Sequence, residues 1–204
     1  MKRFVFINGR GSSGKDTQAD KIVESNPGAV KISTGDIYRG AKTEEGFYGR
    51  FYDRISPYIE TVDKGGLLPD DIMLPIVGEV IDDLTREGKN TFIFTGFPRT
   101  DAQLYAVDRF LEGMKQTGEN VKATFIAYAV LEGHSRRRAE SRRLSGILRE
   151  DDKPDVVEKR LKVYREATLP MLQRLTKERR LTIIKSSGSI SDVRERTVRA
   201  LERE

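Results

Sequence analysis

Five short apolar runs punctuate an otherwise polar chain: Phe4–Ile7, Ala29–Ile32, Thr91–Phe94, Thr124–Val130 and Leu181–Ile184. They are continuous rather than alternating, which predicts strands buried on both faces. Between them, apolar residues recur at helical spacing. Thr17–Glu24 places Ala19, Ile22 and Val23 on one face, and Asp70–Glu87 places Ile72, Ile76, Val80 and Leu84 at steps of four. Ala102–Glu112, Pro154–Glu178 and Ser191–Arg203 also read as helices, with Ser191 and Asp192 as N-cap oxygens for the last. Strands alternating with helices predict an α/β fold, a parallel five-stranded sheet covered on both faces. Ligands of such sheets bind beyond the carboxyl ends of the strands. The loops after the first three strands are therefore the first places to look for chemistry.

Composition narrows the picture. At 204 residues the chain is one domain, with room for small inserted subdomains. Hydrophobic residues make up 37% and charged residues 34%, so a core is possible under a heavily charged surface. No cysteine is present, which excludes disulfides and thiolate metal sites, a four-cysteine zinc site included. No apolar run is long enough to span a bilayer and no signal peptide is visible, so a cytoplasmic chain without a membrane partner is expected. The net charge of +5 suits a polyanionic ligand, nucleotide or nucleic acid.

The loop after the first strand is the most informative stretch. Gly9 to Thr17 reads GRGSSGKDT. Gly9, Gly11 and Gly14 permit backbone angles that side chains forbid, so successive N–H groups can line an anion-sized hollow. Lys15 adds a point charge, and a helix beginning near Lys15 aims its positive dipole end at the same spot. The spacing Gly-x4-Gly-Lys fits a Walker A phosphate loop, except that Asp16 stands where Ser or Thr is usual. Ser33-Thr34-Gly35-Asp36 and then Arg39 follow the second strand; Thr95-Gly96-Phe97-Pro98-Arg99 and then Gln103 follow the third. Arg138 and Arg142 lie four apart, on one helical face, and Arg149 and Arg160 follow. Each arginine alone reads as surface charge. Together with a phosphate loop they make a ring able to bring two nucleotides together, each charge-assisted bond to phosphate contributing about 1.5–3 kcal/mol.

These pieces resemble the adenylate kinase family of P-loop nucleoside monophosphate kinases. The resemblance runs nearly end to end, through GRGSSGKDTQ, ISTGDIYR, GGLLPDD, TGFPRTDAQ, the Arg138/Arg142 pair, REDD at 149–152 and Arg160 in EKRL. It implies transfer of the γ-phosphoryl group of ATP to AMP, with Mg²⁺ on ATP, by a monomer. Ser12, Ser13, Gly14, Lys15, Asp16 and Thr17 would cradle the ATP phosphates, Arg138 and Arg142 would engage them near a lid, and Gly188 would face the adenine. Thr34, Arg39, the backbone of Gly66, Leu67 and Leu68, then Gly96, Phe97, Pro98, Arg99 and Gln103 would hold AMP. Arg149 and Arg160 would reach the phosphates between donor and acceptor. Lys15, Arg99, Arg138, Arg149 and Arg160 form the implied catalytic set. Residues 34–66 would be a small helical monophosphate-binding insertion, and residues 140–151 a lid of the short form, with no zinc. Relatives acting on UMP or CMP usually carry Ala at the position of Thr34 and Asn at that of Gln103. A Gln amide matches the N6 amine and N1 acceptor of adenine, so AMP is the expected acceptor. A kinase for UMP, CMP or another monophosphate, and a nucleotide-binding regulator that transfers nothing, are the alternatives.

The chain departs from the family pattern in places that matter. The acid expected at the end of the third strand, which helps hold the Mg²⁺ water shell, is Thr95. Asp16 stands where the family has Gly, and Gly11 where it usually has Pro, which is expected to loosen the loop. One acid has gone from the metal and another has come near it. Either Asp16 holds the metal instead, directly or through water, or the two changes are unrelated, with activity kept or lost. His134, the only histidine, has no partner for a metal site and reads as exposed. Arg136–Arg138, Arg142 and Arg143 have no interleaved aromatic platform, so nucleic acid is not the expected partner.

Overall fold

The computed structural model describes residues 1–146 and 152–202. Its strands are β1 (Lys2–Gly9), β2 (Ala29–Ser33), β3 (Thr91–Thr95), β4 (Val121–Ala129) and β5 (Leu181–Lys185). All pair in parallel, in the order β2-β3-β1-β4-β5. The chain leaves β1 towards β2 and leaves β3 towards β4, in opposite directions. A crevice therefore opens between the carboxyl ends of these two neighbours. The register places Ile7 opposite Thr95, so both loops start at the same level.

Period-two alternation divides the strands between two cores. Phe4, Phe6, Phe92, Phe94 and Phe125 face one side, and Val5, Ile7, Ile93, Ile126 and Ile184 the other. The phenylalanines stack across strands: Phe6 lies 4.9 Å from Phe94 and 4.8 Å from Phe125 between ring centroids. Each such pair contributes about 0.5–1.5 kcal/mol beyond its buried area. The aromatic face is covered by α6 (Asp70–Arg86), α7 (Asp101–Gln116) and α10 (Leu169–Lys177). The aliphatic face is covered by α1 (Lys15–Glu24) and α11 (Ile190–Glu202).

Between β2 and α6 the chain forms α2 (Thr34–Lys42) and three short helices, α3 (Gly46–Gly49), α4 (Tyr52–Ile55) and α5 (Ile59–Asp63). Ile37, Ala41, Phe51 and Ile55 are buried there. The Tyr38 hydroxyl donates to Asp63 at 2.8 Å, and Lys42 pairs with the same carboxylate at 2.6 Å. After β4 come α8 (Glu132–Leu144) and α9 (Pro154–Val163).

Two expectations from sequence are corrected. The helix expected over Pro154–Glu178 is interrupted by a π turn, Tyr164–Thr168. The Leu169 N–H bonds Tyr164 O, five residues back, just before Pro170, which has no N–H to continue the ladder. The last helix is capped by Ser189 rather than Ser191. The Ser189 hydroxyl accepts from Asp192 N at 3.1 Å, and Asp192 accepts in return from Ser189 N at 2.8 Å, a capping box. Arg149 and residues 147–151 of the expected lid lie outside the described residues.

Candidate functional site

The phosphate loop runs from the end of β1 to the first turn of α1. Gly14 caps α1 in the left-handed conformation at φ 87°. Of the other loop residues, Ser12 rather than Gly11 is left-handed, at φ 58°, while Gly11 faces open space. That conformation costs a side-chain-bearing residue about 1–2 kcal/mol. Two arginines of α8 hold it in place: Arg138 donates to Ser12 O at 3.2 Å and Arg142 to the Ser12 hydroxyl at 2.9 Å. The loosening expected from Gly11 meets a second brace. Arg10 donates to Val130 O at 2.9 Å, lies 5.0 Å over the Tyr164 ring and sits 3.8 Å from Glu132.

Lys15 is mostly buried, with its ammonium 3.3 Å from the Asp16 carboxylate, which is half exposed. Burial pushes the Lys15 pKa below its ordinary value, and the charges of Arg99 and Arg160 push the same way against the pull of Asp16. Burial, the largest single influence, would raise the Asp16 pKa, but Lys15, Thr95 and Lys31 together outweigh it and hold the carboxyl well below the usual range. The Thr95 hydroxyl lies close enough to Asp16 to help lower that pKa, yet it is buried without a hydrogen-bond partner among the described residues.

A cleft of about 580 Å³ opens over the ends of β1 and β3. Ser12, Gly14, Lys15, Asp16, Thr17, Arg138, Arg142 and Gly188 line it. The Ser13 side chain does not; it is fully buried behind the loop. A smaller recess of about 50 Å³ adjoins the cleft, lined by Thr34, Gly66, Leu68 and Gln103 among others. Arg39, Leu67, Gly96, Arg99 and Arg160 line both spaces. Phe97 and Pro98 line neither; the Phe97 ring is buried 5.9 Å from Phe94.

The walls of the recess are tied together. Arg99 Nε donates to Gly96 O at 2.7 Å, and the Thr34 hydroxyl donates to the same carbonyl at 3.0 Å. Gly96 sits at φ 73°, a conformation that favours glycine, and a Cβ there would also come within 2.6 Å of the Arg99 guanidinium. Gln103 Oε1 accepts from Arg99 N at 2.7 Å, and its Nε2 donates to Asp70 at 2.6 Å. On the other side, Arg142 makes a bidentate pair with the buried Asp152, at 2.5 and 2.6 Å.

Sequence reasoning missed three supporting residues. Asp70 and Asp152 lie inside quoted motifs, Asp70 standing 33 residues from Gln103 and Asp152 ten residues from Arg142. Lys31 lines the cleft, bridging Asp20 at 2.6 Å and Asp36 at 3.5 Å. A charge inside the otherwise apolar strand AVKIS was the available signal.

Comparison with known proteins agrees with this geometry. A sequence model of the family described as Adenylate kinase matches residues 7–180. This chain belongs to the adenylate kinase family. The adenylate kinase of Synechococcus sp. is 30% identical over 99% of this chain and 100% of its own length. That of Nitrobacter hamburgensis is 31% identical over 97% and 91%, and that of Thermodesulfovibrio yellowstonii 32% identical over 94% of each. Within this fold, Asp16 and Thr95, the two residues expected to depart from the family pattern, lie near each other on the wall of the cleft.

Proposed function

We propose that the protein transfers the γ-phosphoryl group of ATP to AMP and releases two ADP. The observation that carries this reading is the meeting of two cavities, one floored by the phosphate loop and one walled by the Gln103 amide, at Arg39, Arg99 and Arg160. ATP occupies the larger cleft, its phosphates on the backbone of Ser12–Thr17 among Lys15, Arg138 and Arg142, its adenine against Gly188. AMP occupies the recess, its base towards Thr34, Gln103 and the Gly66–Leu68 backbone, its phosphate towards Arg39, Arg99 and Arg160. The same reading assigns Arg149, which lies outside the described residues, to the transferred phosphates. Residues 34–66 carry the acceptor and residues 140–151 close over the donor, excluding the water that would hydrolyse ATP. The reading takes the enzyme as a cytoplasmic monomer whose partners are its two nucleotides. Both cavities are walled by one chain, so neither needs a second copy.

No side chain acts as a nucleophile. An oxygen of the AMP phosphate attacks the γ-phosphorus in line, and the bond to the β–γ bridging oxygen breaks as ADP leaves. Catalysis is then positioning and charge stabilisation. The mutual repulsion of Lys15, Arg99 and Arg160 is relieved when a polyanion arrives among them.

Enzymes of this family take ATP with Mg²⁺. Among the described residues no three His, Cys, Asp or Glu side chains converge on a metal site. Of the carboxylates lining the cleft, Asp20 and Asp36 pair with Lys31, while beside the phosphate loop stand the half-exposed Asp16 carboxylate and the buried Thr95 hydroxyl. Two hard oxygen donors beside a phosphate site fit an Mg²⁺ that keeps phosphate and water ligands. Asp16 would hold the ion, directly or through one water, with the Thr95 hydroxyl beside it. When bound, Mg²⁺ would supply positive charge against that of the ATP phosphates.

A coupled assay with ATP as donor and AMP, CMP, UMP or GMP as acceptor tests the reading. AMP should lead in kcat/KM by about tenfold or more, roughly 1.4 kcal/mol. A pyrimidine monophosphate in the lead reassigns the acceptor. Tight ATP binding with no transfer to any acceptor would make the protein a regulator.

A further inference from the structure

Gln103 is buried, and what fixes its amide is a carboxylate that lines neither cavity. Asp70 opens α6, and Thr100 caps α7. One Asp70 oxygen accepts from Gln103 Nε2 at 2.6 Å; the other accepts from the Thr100 hydroxyl at 2.9 Å. That hydroxyl accepts in turn from Gln103 N at 3.1 Å. On the opposite side, Gln103 Oε1 accepts from Arg99 N at 2.7 Å. The chemistry of the two partners decides which end of the amide is which. A carboxylate only accepts and a backbone N–H only donates, so turning the amide over sacrifices both bonds. Each end keeps one capacity: a second N–H and a second lone pair. A base entering the recess meets one donor and one acceptor in a fixed order.

We propose that Asp70 is a positioning residue for base selection, locking Gln103 in the orientation that pairs with the N1 acceptor and N6 donor of adenine. The proposal rests on the reading that the recess takes a nucleoside monophosphate. Hypoxanthine presents the reverse pattern, N1–H and O6, and meets donor against donor and acceptor against acceptor. Without Asp70, reversal costs Gln103 one bond instead of two, and the site accommodates either purine.

The test compares AMP and IMP as acceptors in the wild type, Asp70→Ala and Asp70→Asn. The ratio of the two kcat/KM values is taken on one preparation, so any unfolded fraction cancels. Titration calorimetry of both monophosphates replaces turnover where IMP is too poor a substrate to follow. The wild type should favour AMP strongly. Asp70→Ala should lower the AMP:IMP ratio by about tenfold, through a raised KM for AMP with the KM for ATP unchanged. Asp70→Asn, which still offers an oxygen to Gln103 Nε2, should keep more of the ratio. An Asp70→Ala ratio equal to that of the wild type, with AMP and IMP losing in proportion, overturns the role and leaves Asp70 a tie between two helices. A wild type that prefers IMP or a pyrimidine monophosphate strikes the reading of the recess itself, and does so before any variant is made.

Discussion

The acceptor recess and the donor cleft are finished to different degrees. In the recess, Thr34, Arg99, Gln103 and Asp70 form a continuous hydrogen-bonded frame, and no residue lining it has a buried side-chain atom without a partner. Around the phosphate loop the reverse holds. Asn8 Nδ2, Ser13 Oγ, Gln18 Oε1 and Thr95 Oγ1 are buried without hydrogen-bond partners. A buried polar group left unpaired costs about 1–3 kcal/mol. On the function proposed above, the wall that would read the base is fixed by bonds within the chain, whereas these polar atoms around the phosphate loop are not fixed in that way.

The largest effect should come from the shared cations. Lys15→Ala and Arg99→Ala should each lower kcat/KM by about a hundredfold or more, roughly 2.7 kcal/mol of transition-state binding. The KM for AMP should separate them. Arg99→Ala dismantles the frame of the recess and should raise it, while Lys15→Ala should leave it near the wild-type value. Circular dichroism checks that both variants fold, and a KM for AMP raised equally in both would erase the distinction between the two sites.

Next in size is the metal. ATP titrations at stepped Mg²⁺ concentrations should show that Asp16→Gly needs about tenfold more Mg²⁺ for half-maximal binding, and that adding Thr95→Asp restores the wild-type requirement. An unchanged Mg²⁺ requirement in Asp16→Gly would mean that the two changes in this chain are unrelated.

Two isosteric substitutions probe the frame directly in the ligand-free protein. Thr34→Val removes a hydroxyl with partners and should cost about 1 kcal/mol in urea denaturation. Thr95→Val removes one without partners and should be neutral or stabilising. Equal losses in the two would contradict the contrast.

The smallest effect is a pH dependence. The Asp16 pKa is depressed in the folded protein, so its stabilisation is present above the ordinary aspartate value of 3.8 and is lost as pH falls further. The gap in thermal stability between the wild type and Asp16→Asn should therefore narrow below that pH. A gap that widens on acidification would place the carboxylate away from Lys15.

Much of this was readable in the sequence, for physical reasons that also mark where reading stops. The apolar runs marked all five strands, their ends shifted by up to three residues, although Lys31 interrupts the run of β2 and β5 is not buried on both faces as expected, Ile183 being exposed at the edge of the sheet. Helices α3 and α4 have four residues each, too few to display a period. Helix α8 buries little more than Ser135 and Ala139 and has no apolar face to reveal it. The π turn depends on a single missing N–H at Pro170. The phosphate loop was legible from its spacing, and Arg99 and Gln103 stand in a contiguous motif whose resemblance to the family carried their expected roles. Asp70 acts on a partner 33 residues away, and Asp152, beyond the end of α8, on one ten residues away, both met only when the chain is folded.

The Arg10 clasp changes the mechanical character of the phosphate loop. A proline, the residue expected at the position of Gly11 from the family pattern, would stiffen this turn with its ring; here the turn is fastened by a cation over Tyr164, a carbonyl bond to Val130 and a nearby Glu132. A ring is a covalent constraint, indifferent to its surroundings. A clasp of this kind is an equilibrium, with an enthalpy that heat erodes and a Coulombic share that dissolved salt screens. The loop's stiffness in this chain is thus tied to ionic conditions, and a change at Tyr164, on the π turn just beyond the helix that carries Arg160, would slacken it from a distance.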